Sequence, residues 1–591
     1  MKKYVQRLFQ VVGGAVVFYA LFLIVVFGFF RLGERVPAKV ILEVNLEKEL
    51  VESIPDEPVA KALLRNQPSV RDIVEALDRG ANDERVAGLV AHLGAAPQGM
   101  AQVQEIRDAV QRFRAKKKFA IAFSETFGEF NNGGRAYYLA TAFDEVWLQP
   151  SGDVNLAGVM LESMFRRGTY DKLGLRFRGD QRYEYKNAFN VHVEKKFTPA
   201  HREAMESILT SWYRQMVRGV SAGRKISEDE VRALVDRGPF LGQEALDAKL
   251  VDRLAYRDEV MEEAKKRAGE GAERLALAKY LERAGRPHDD GQTIALIYGV
   301  GGVERGKSGF NALSGDMTMG SDSVSAAFRA AIDDQDVKAI VFRVDSPGGS
   351  YVASDTIWRE VERARKSGKP VIVTMGDLAG SGGYFVAMSA DKIVAQPGTI
   401  TGSIGVLGGK FITPGFWEKI GISWDEVHAG ANARMWTGTH DYSPAEWQRF
   451  EGALDRIYAD FTAKVASGRK LPKEEVLRIA KGRIYTGEDA KAIGLVDELG
   501  GFNTALRLAK QAVKIPESDE VKLRTYPRPK QLMETLLAFG KPGEDEVSTE
   551  AAATEAALRA LESLQPVVRQ MQAVMGTETE VLSMPPVGVE P

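Results

Sequence analysis

A chain of 591 residues, 44% hydrophobic and 27% charged, can bury more than one core and is expected to hold at least two domains. Its formal net charge of −2 leaves no electrostatic footprint for nucleic acid, and that class is set aside. The absence of cysteine excludes disulfides, thiolate metal sites and a cysteine nucleophile, and suits an oxidising compartment.

The first element is apolar. Leu8 to Phe30, "LFQVVGGAVVFYALFLIVVFGFF", has only Gln10 as a clearly polar residue. At about 1.5 Å per residue it can cross a hydrocarbon core of roughly 30 Å. Lys2, Lys3 and Arg7 precede it and Arg31, Glu34 and Arg35 follow, so the positive-inside rule keeps residues 1–7 in the cytoplasm and exports the body. A cleaved signal peptide is the competing reading. Its apolar run would be shorter and end in small residues, whereas this one ends in Phe29-Phe30-Arg31-Leu32.

The body is written twice. "VSAGRKISEDEVRALVDRGPFLGQEALDAKLVDRL" (220–254) matches "VASGRKLPKEEVLRIAKGRIYTGEDAKAIGLVDEL" (465–499), and from Pro199/Pro444 to Asp252/Asp497 the offset stays at 245. Upstream, "VAGLVAHLG" (86–94) pairs with "VKAIVFRVD" (337–345), and "NNGGRAYYLATAFDEVWLQP" (131–150) with "GSGGYFVAMSADKIVAQP" (380–397). This period is too long for a solenoid and marks a duplicated domain, with copies at 31–285 and 286–530. In the second copy, "TIALIYGV", "AIVFRV", "PVIVTM" and "KIVAQP" read as buried strands. "SAAFRAAIDD" and "ASDTIWREVERARKSG" show helical spacing. The alternation predicts an α/β fold with crossover connections. "ERAGRPHDDGQ" (282–292) joins the copies, and residues 531–591 read as a tail with an Ala-rich helix in otherwise weakly ordered chain.

One serine, Ser381, sits in a Gly-Ser-Gly-Gly turn before an apolar run. It reads either as a loop serine or as a nucleophile, and a nucleophile needs a base. The six histidines are scattered, without HExxH or other metal spacing, and no acid–histidine pattern follows Ser381. The turn only half matches GxSxG, because Ala379 replaces its first glycine. A partly desolvated lysine can replace histidine.

The copies discriminate. Ser381 aligns with Asn132, Ser403 with Leu156, and "DSPGGS" (345–350) falls near "GAAPQGM" (94–100), so the first copy is disarmed. Yet the first copy holds Lys186 in "RYEYKNAFN", where the 245 offset puts Ala431 in the second. The second copy has no lysine from Gly421 to Phe461. Each copy lacks what the other keeps, which predicts one site pooled from both. Taken singly, Lys186 reads as a solvated surface lysine, Ser403 as a turn serine, and Gly348 and Gly349 as turn glycines. Together, a strand running into "DSPGG" and a helix offers backbone N–H groups to an oxyanion, beside the amide of Gly382.

At "RVDSPGGSYVASDTIW", "GSGGYFVAMSADKIVAQPGTITGSIGV" and "YEYKNAFNVHVEKKFTPAHREAM" the chain resembles the signal peptide peptidase A family in its long, duplicated bacterial form, protease IV. The resemblance runs from the anchor to about residue 530. It implies two tandem Clp-protease/crotonase-like domains after a transmembrane helix. It also implies a serine endopeptidase of the bacterial inner membrane that faces the periplasm and degrades signal peptides and other apolar peptides. Carried over, the nucleophile falls on Ser381, the general base on Lys186, the lysine-orienting hydroxyl on Ser403, and the oxyanion amides on Gly348, Gly349 and Gly382, with no metal or cofactor. A homo-oligomer, a tetramer by preference, is implied as well. Two other readings stand beside it: a crotonase-like acyl-CoA enzyme, whose sites use carboxylates, and a non-catalytic membrane-anchored scaffold.

Overall fold

The computed structural model describes residues 35–528, apart from 66 and 95–97. The expected anchor (8–30) and the tail (531–591) lie outside the described residues. Among those described, no helix is long and apolar enough to cross a membrane.

The fold is mixed α/β, and its two main sheets share six strands in the same order. The second sheet adds Ile400–Gly402 beside Val371–Gly380, with Ile484–Thr486 antiparallel to Ile400–Gly402. The first runs in the order Arg253–Leu254, Glu145–Leu148, Phe119–Ser124, Val86–His92, Val40–Asn45, Glu273–Ala276, all parallel. In the second, Glu498–Leu499, Lys392–Ala395, Val371–Gly380, Val337–Ser346, Gln292–Val300 and Val521–Tyr526 follow in the corresponding order, again parallel. Parallel sheets covered on both faces need near-continuous apolar strands. Val371–Gly380 is such a strand, buried everywhere except Asp377 and Leu378. The two helical patterns read from the second copy form Ser321–Asp333 and Tyr351–Lys366.

Polar contacts lock the copies together. Asp377 of the second copy accepts the Ala101 and Gln102 N–H groups (2.8 and 3.2 Å) at the start of helix Met100–Ala115 in the first. Glu105 on that helix accepts the Phe502 N–H (2.6 Å) at the start of helix Phe502–Ala512 in the second. Both helices have glycine at the N-cap, Gly99 and Gly501, and a Cβ at either would strike the visiting carboxylate. Each copy therefore caps a helix of the other, a contact worth about 1 kcal/mol at each end. Arg343 lies between Glu52 and Glu105 at 2.8 and 3.0 Å, all three buried. A buried arginine holding two carboxylates penalises separation, because a copy pulled away would leave charge unpaired.

A second link crosses the copies. Arg176–Arg182 pairs antiparallel with Val406–Ile412, in a register that sets Arg182 opposite Val406. Lys186 follows the end of one strand and Ser403 precedes the start of the other, so this pairing draws them to one place.

Candidate active site

Ser381 is placed by the strand it terminates. Gly380 pairs with Gly402 on the neighbouring strand, and the Ser381 N–H donates to the Gly402 carbonyl at 2.8 Å. The chain then turns sharply into helix Gly382–Ala387, with Ser381 at φ 54°, a conformation that costs a non-glycine residue about 1–3 kcal/mol. Ser403 is held the same way, at φ 51°, its N–H on the Arg483 carbonyl.

Lys186 arrives from the first copy. The N–H groups of Tyr183 and Tyr185 both donate to the Lys481 carbonyl at 3.2 Å, so the lysine loop is pinned to the second copy. Gly482 makes the close approach possible. Its φ is 82°, and a Cβ there would lie 2.3 Å from Lys186 Cβ and 2.4 Å from its Cα.

The three side chains converge, all fully buried. Lys186 Nζ lies 2.6 Å from Ser381 Oγ and 3.0 Å from both the carbonyl oxygen and Oγ of Ser403. Burial alone pushes the Lys186 amine well below its ordinary value, with no carboxylate contributing to hold the proton on. A neutral amine has two N–H donors and one lone pair. The two Ser403 oxygens accept the two N–H groups, and the lone pair is left for the Ser381 hydroxyl. The arrangement can therefore take a proton from a serine.

The tandem glycines differ in hydrogen bonding. The Gly348 N–H donates to Ser346 Oγ at 3.2 Å. Among the described residues, the N–H groups of Gly349 and Gly382 have no such partner. The two glycines abut, since a Cβ on Gly382 would sit 3.0 Å from the Gly349 nitrogen.

The corresponding turn in the first copy is closed on itself. Asn132 donates through Nδ2 to the Gly158 carbonyl and accepts the Gly134 N–H, both at 2.9 Å. His192 and His201 are driven by burial to about 4, so neither is charged at neutral pH. Sequence spacing gave no sign of one grouping, Glu47, His92 and Glu125 at adjacent strand ends. Glu47 lies 3.4 Å from Nδ1 of His92 while Glu125 bonds Nε2, so these contacts approach opposite edges of the ring rather than one point. Gly482 was the supporting residue missed. Its signal was present, since the 245 offset sets Arg237 where the second copy needs glycine.

The sequence profile of peptidase family S49 matches residues 114–270 and 363–516, one region in each copy and together more than half the chain. Protease 4 of Salmonella typhi is 34% identical over 464 residues, covering 76% of this chain and 73% of that protein. Serine protease SPPA, chloroplastic, of Arabidopsis thaliana is 30% identical over 479 residues, 80% of this chain and 69% of that protein. A solved ClpP1 mutant from Listeria monocytogenes aligns at 15% identity over 36% of this chain and 94% of its own, with a TM-score of 0.23, and carries no argument here. From the two matched regions and relatives aligned along most of its length, the chain belongs to peptidase family S49, in the duplicated form, and is a serine protease.

Proposed function

We propose that the chain cleaves apolar peptides, including signal peptides left in the membrane after secretion, through a Ser381/Lys186 dyad shared between its two copies. The observation that carries this reading is the 2.6 Å contact between a buried serine hydroxyl and a lysine amine kept neutral by burial. Lys186 takes the Ser381 proton as Oγ attacks the scissile carbonyl, and Ser403 fixes the amine with its lone pair toward the hydroxyl. The oxyanion is received by the N–H groups of Gly349 and Gly382. Gly348, with its N–H on Ser346, shapes the turn instead. Each such donor is worth about 3 kcal/mol in the transition state. Lys186 then protonates the leaving amine and, neutral again, draws a proton from the water that hydrolyses the acyl-enzyme. No metal or cofactor enters any of these steps.

The apolar stretch at 8–30 anchors the chain in the inner membrane with the catalytic body in the periplasm, and the body works as a homo-oligomer. Hydrolysis of a chromogenic apolar peptide tests the dyad, alongside labelling by a fluorophosphonate. Ser381→Ala and Lys186→Ala should each lose hydrolysis by at least about a thousandfold and Ser381→Ala should lose the label, with folding intact. Hydrolysis near the wild-type rate in either variant refutes the assignment. The acyl-CoA reading asks for a catalytic carboxylate, and none contributes to the environment of Lys186.

A further inference from the structure

The turn that carries the proposed Gly349 donor is held from one side by a short strand. Strand Val337–Ser346 runs out into Pro347, Gly348 and Gly349 before helix Tyr351–Lys366 begins, and Gly302–Glu304 lies against this turn. The Gly301 N–H donates to the Asp345 carbonyl at 2.9 Å, the Val303 N–H to the Gly348 carbonyl at 2.8 Å, and the Ser350 N–H to the Val303 carbonyl at 2.7 Å. The packing is close, since a Cβ on Gly349 would lie 2.3 Å from the Val303 carbonyl oxygen.

Ser346 holds the same turn from within. Its fully buried hydroxyl donates to the Gly301 carbonyl at 2.7 Å, so its one proton is committed, and the oxygen is left to accept the Gly348 N–H at 3.2 Å. The direction of this relay, from the Gly348 N–H through the hydroxyl to the Gly301 carbonyl, is thereby fixed. Gly348 is itself buried. Without the hydroxyl its N–H would be an interior donor lacking a partner, a costly state. Gly348 at φ 108° and Gly349 at φ 150° have no Cβ to resist a rotation that relieves it, and such a rotation carries the Gly349 N–H away from its direction. Ser346 also abuts the helix that follows the nucleophile, where a Cβ on Gly383 would lie 2.6 Å from the Ser346 carbonyl oxygen.

We infer that Ser346 is a positioning residue for the reaction: by occupying the Gly348 N–H, its hydroxyl leaves the Gly349 N–H, with that of Gly382, aimed at the oxyanion. The sequence supports this independently. Ahead of Pro97 the first copy has Ala95-Ala96, where the second has Asp345-Ser346 ahead of Pro347. The hydroxyl is therefore missing from the copy that has also lost the serine nucleophile. A hydroxyl that served only to close a strand-to-helix turn would have been as useful in either copy. The inference rests on the reading of Ser381 as nucleophile and adds to it the residue that selects the oxyanion donor.

The test reads the carbonyl of the acyl-enzyme in the full chain, solubilised in detergent. The p-nitrophenyl ester of an apolar acyl group should acylate Ser381 in a burst, and infrared difference spectroscopy then records the ester carbonyl stretch, which falls as hydrogen bonds to the oxygen strengthen. Ser346→Ala should raise that stretch and lower kcat for peptide hydrolysis by about 10- to 100-fold, with KM within about twofold of wild type. Ser124→Ala supplies the control. It removes an equally buried hydroxyl of the first copy, 2.7 Å from the Leu93 and Thr126 carbonyl oxygens, and should unfold at lower urea while keeping both the stretch and kcat. Should Ser346→Ala not fold, Ser346→Cys, whose thiol is a weak donor and a weak acceptor, is read in the same way. A wild-type chain that gives no burst, or a burst that survives in Ser381→Ala, defeats the nucleophile reading and this inference with it. A normal burst whose stretch is unchanged in the Ser346 variant overturns the role of Ser346 alone, whatever the rate.

Discussion

Replacing Gly482 by alanine isolates the close approach that brings lysine to serine. The added Cβ would start 2.3 Å from Lys186 Cβ, 2.4 Å from its Cα and 2.5 Å from its nitrogen. Ordinary carbon contacts begin near 3.5 Å, so the Lys186 backbone must retreat by roughly 1 Å. That moves Nζ from 2.6 Å to beyond hydrogen-bond reach of Ser381 Oγ unless the side chain recovers the distance. Fully buried beside two further oxygens, it has little freedom to do so. Misplacement of this size costs on the order of 100-fold in rate. Alanine at φ 82° also adds about 1–2 kcal/mol of backbone strain.

Gly271 supplies the control. It has φ 77° and no atom within 4 Å of a Cβ, so Gly271→Ala carries the strain without the collision. Peptide hydrolysis and urea unfolding of both variants separate the two effects. Both should lose about 1–2 kcal/mol of stability, and only Gly482→Ala should lose kcat/KM by about 100-fold or more. If Gly482→Ala hydrolyses within about threefold of wild type while showing the strain, lysine placement does not govern the reaction, and the reasoning fails.

Lys186→Met should stabilise the chain at neutral pH while abolishing hydrolysis. The folded-state value of Lys186 lies below its unfolded one, so wild-type stability falls as pH drops from the unfolded value toward the folded one, a dependence that thermal melts of the methionine variant should lack. Ser403→Ala removes one of two acceptors that orient the amine and should lower kcat by about 10- to 100-fold with KM nearly unchanged, read from initial rates. Asp377, raised by burial to about 6, favours its protonated form in the fold, so its contribution is full below about pH 4 and lost as pH rises through about 6. Asp377→Asn keeps an acceptor for the Ala101 N–H but should erase up to about 3 kcal/mol of that pH dependence in denaturant unfolding.

Much of the fold was legible because parallel strands buried on both faces must be apolar runs, and those of the second copy stand out against the helices between them. Arg176–Arg182, "RFRGDQR", was not legible. It pairs in a two-stranded ribbon, mostly half-exposed, so no apolar pattern marks it, yet it carries the lysine to the serine. Ser381 and Lys186 emerged from losses visible when the copies are compared, a signal that needs no structure. Which tandem glycine keeps a free N–H depends on Ser346 Oγ, a side-chain choice that spacing does not encode. The exchanged caps were hidden for a related reason: Asp377 and Glu105 serve helices hundreds of residues away, behind glycines that look like ordinary loop residues.

A lysine can serve as base at neutral pH only in a dry place, and no carboxylate may stand near to hold its proton. One α/β copy presents its strand ends to solvent, and a second copy laid against them supplies both the cover and the amine. Joining the copies in one chain makes that closure intramolecular, so the proposed dyad forms at an effective concentration set by the linkage rather than by the amount of protein. Dilution therefore leaves the contact between Lys186 and Ser381 in place, because both residues belong to one chain. Activity per chain on a short peptide should then be independent of protein concentration, and a specific activity that falls on dilution would refute a dyad formed within one chain.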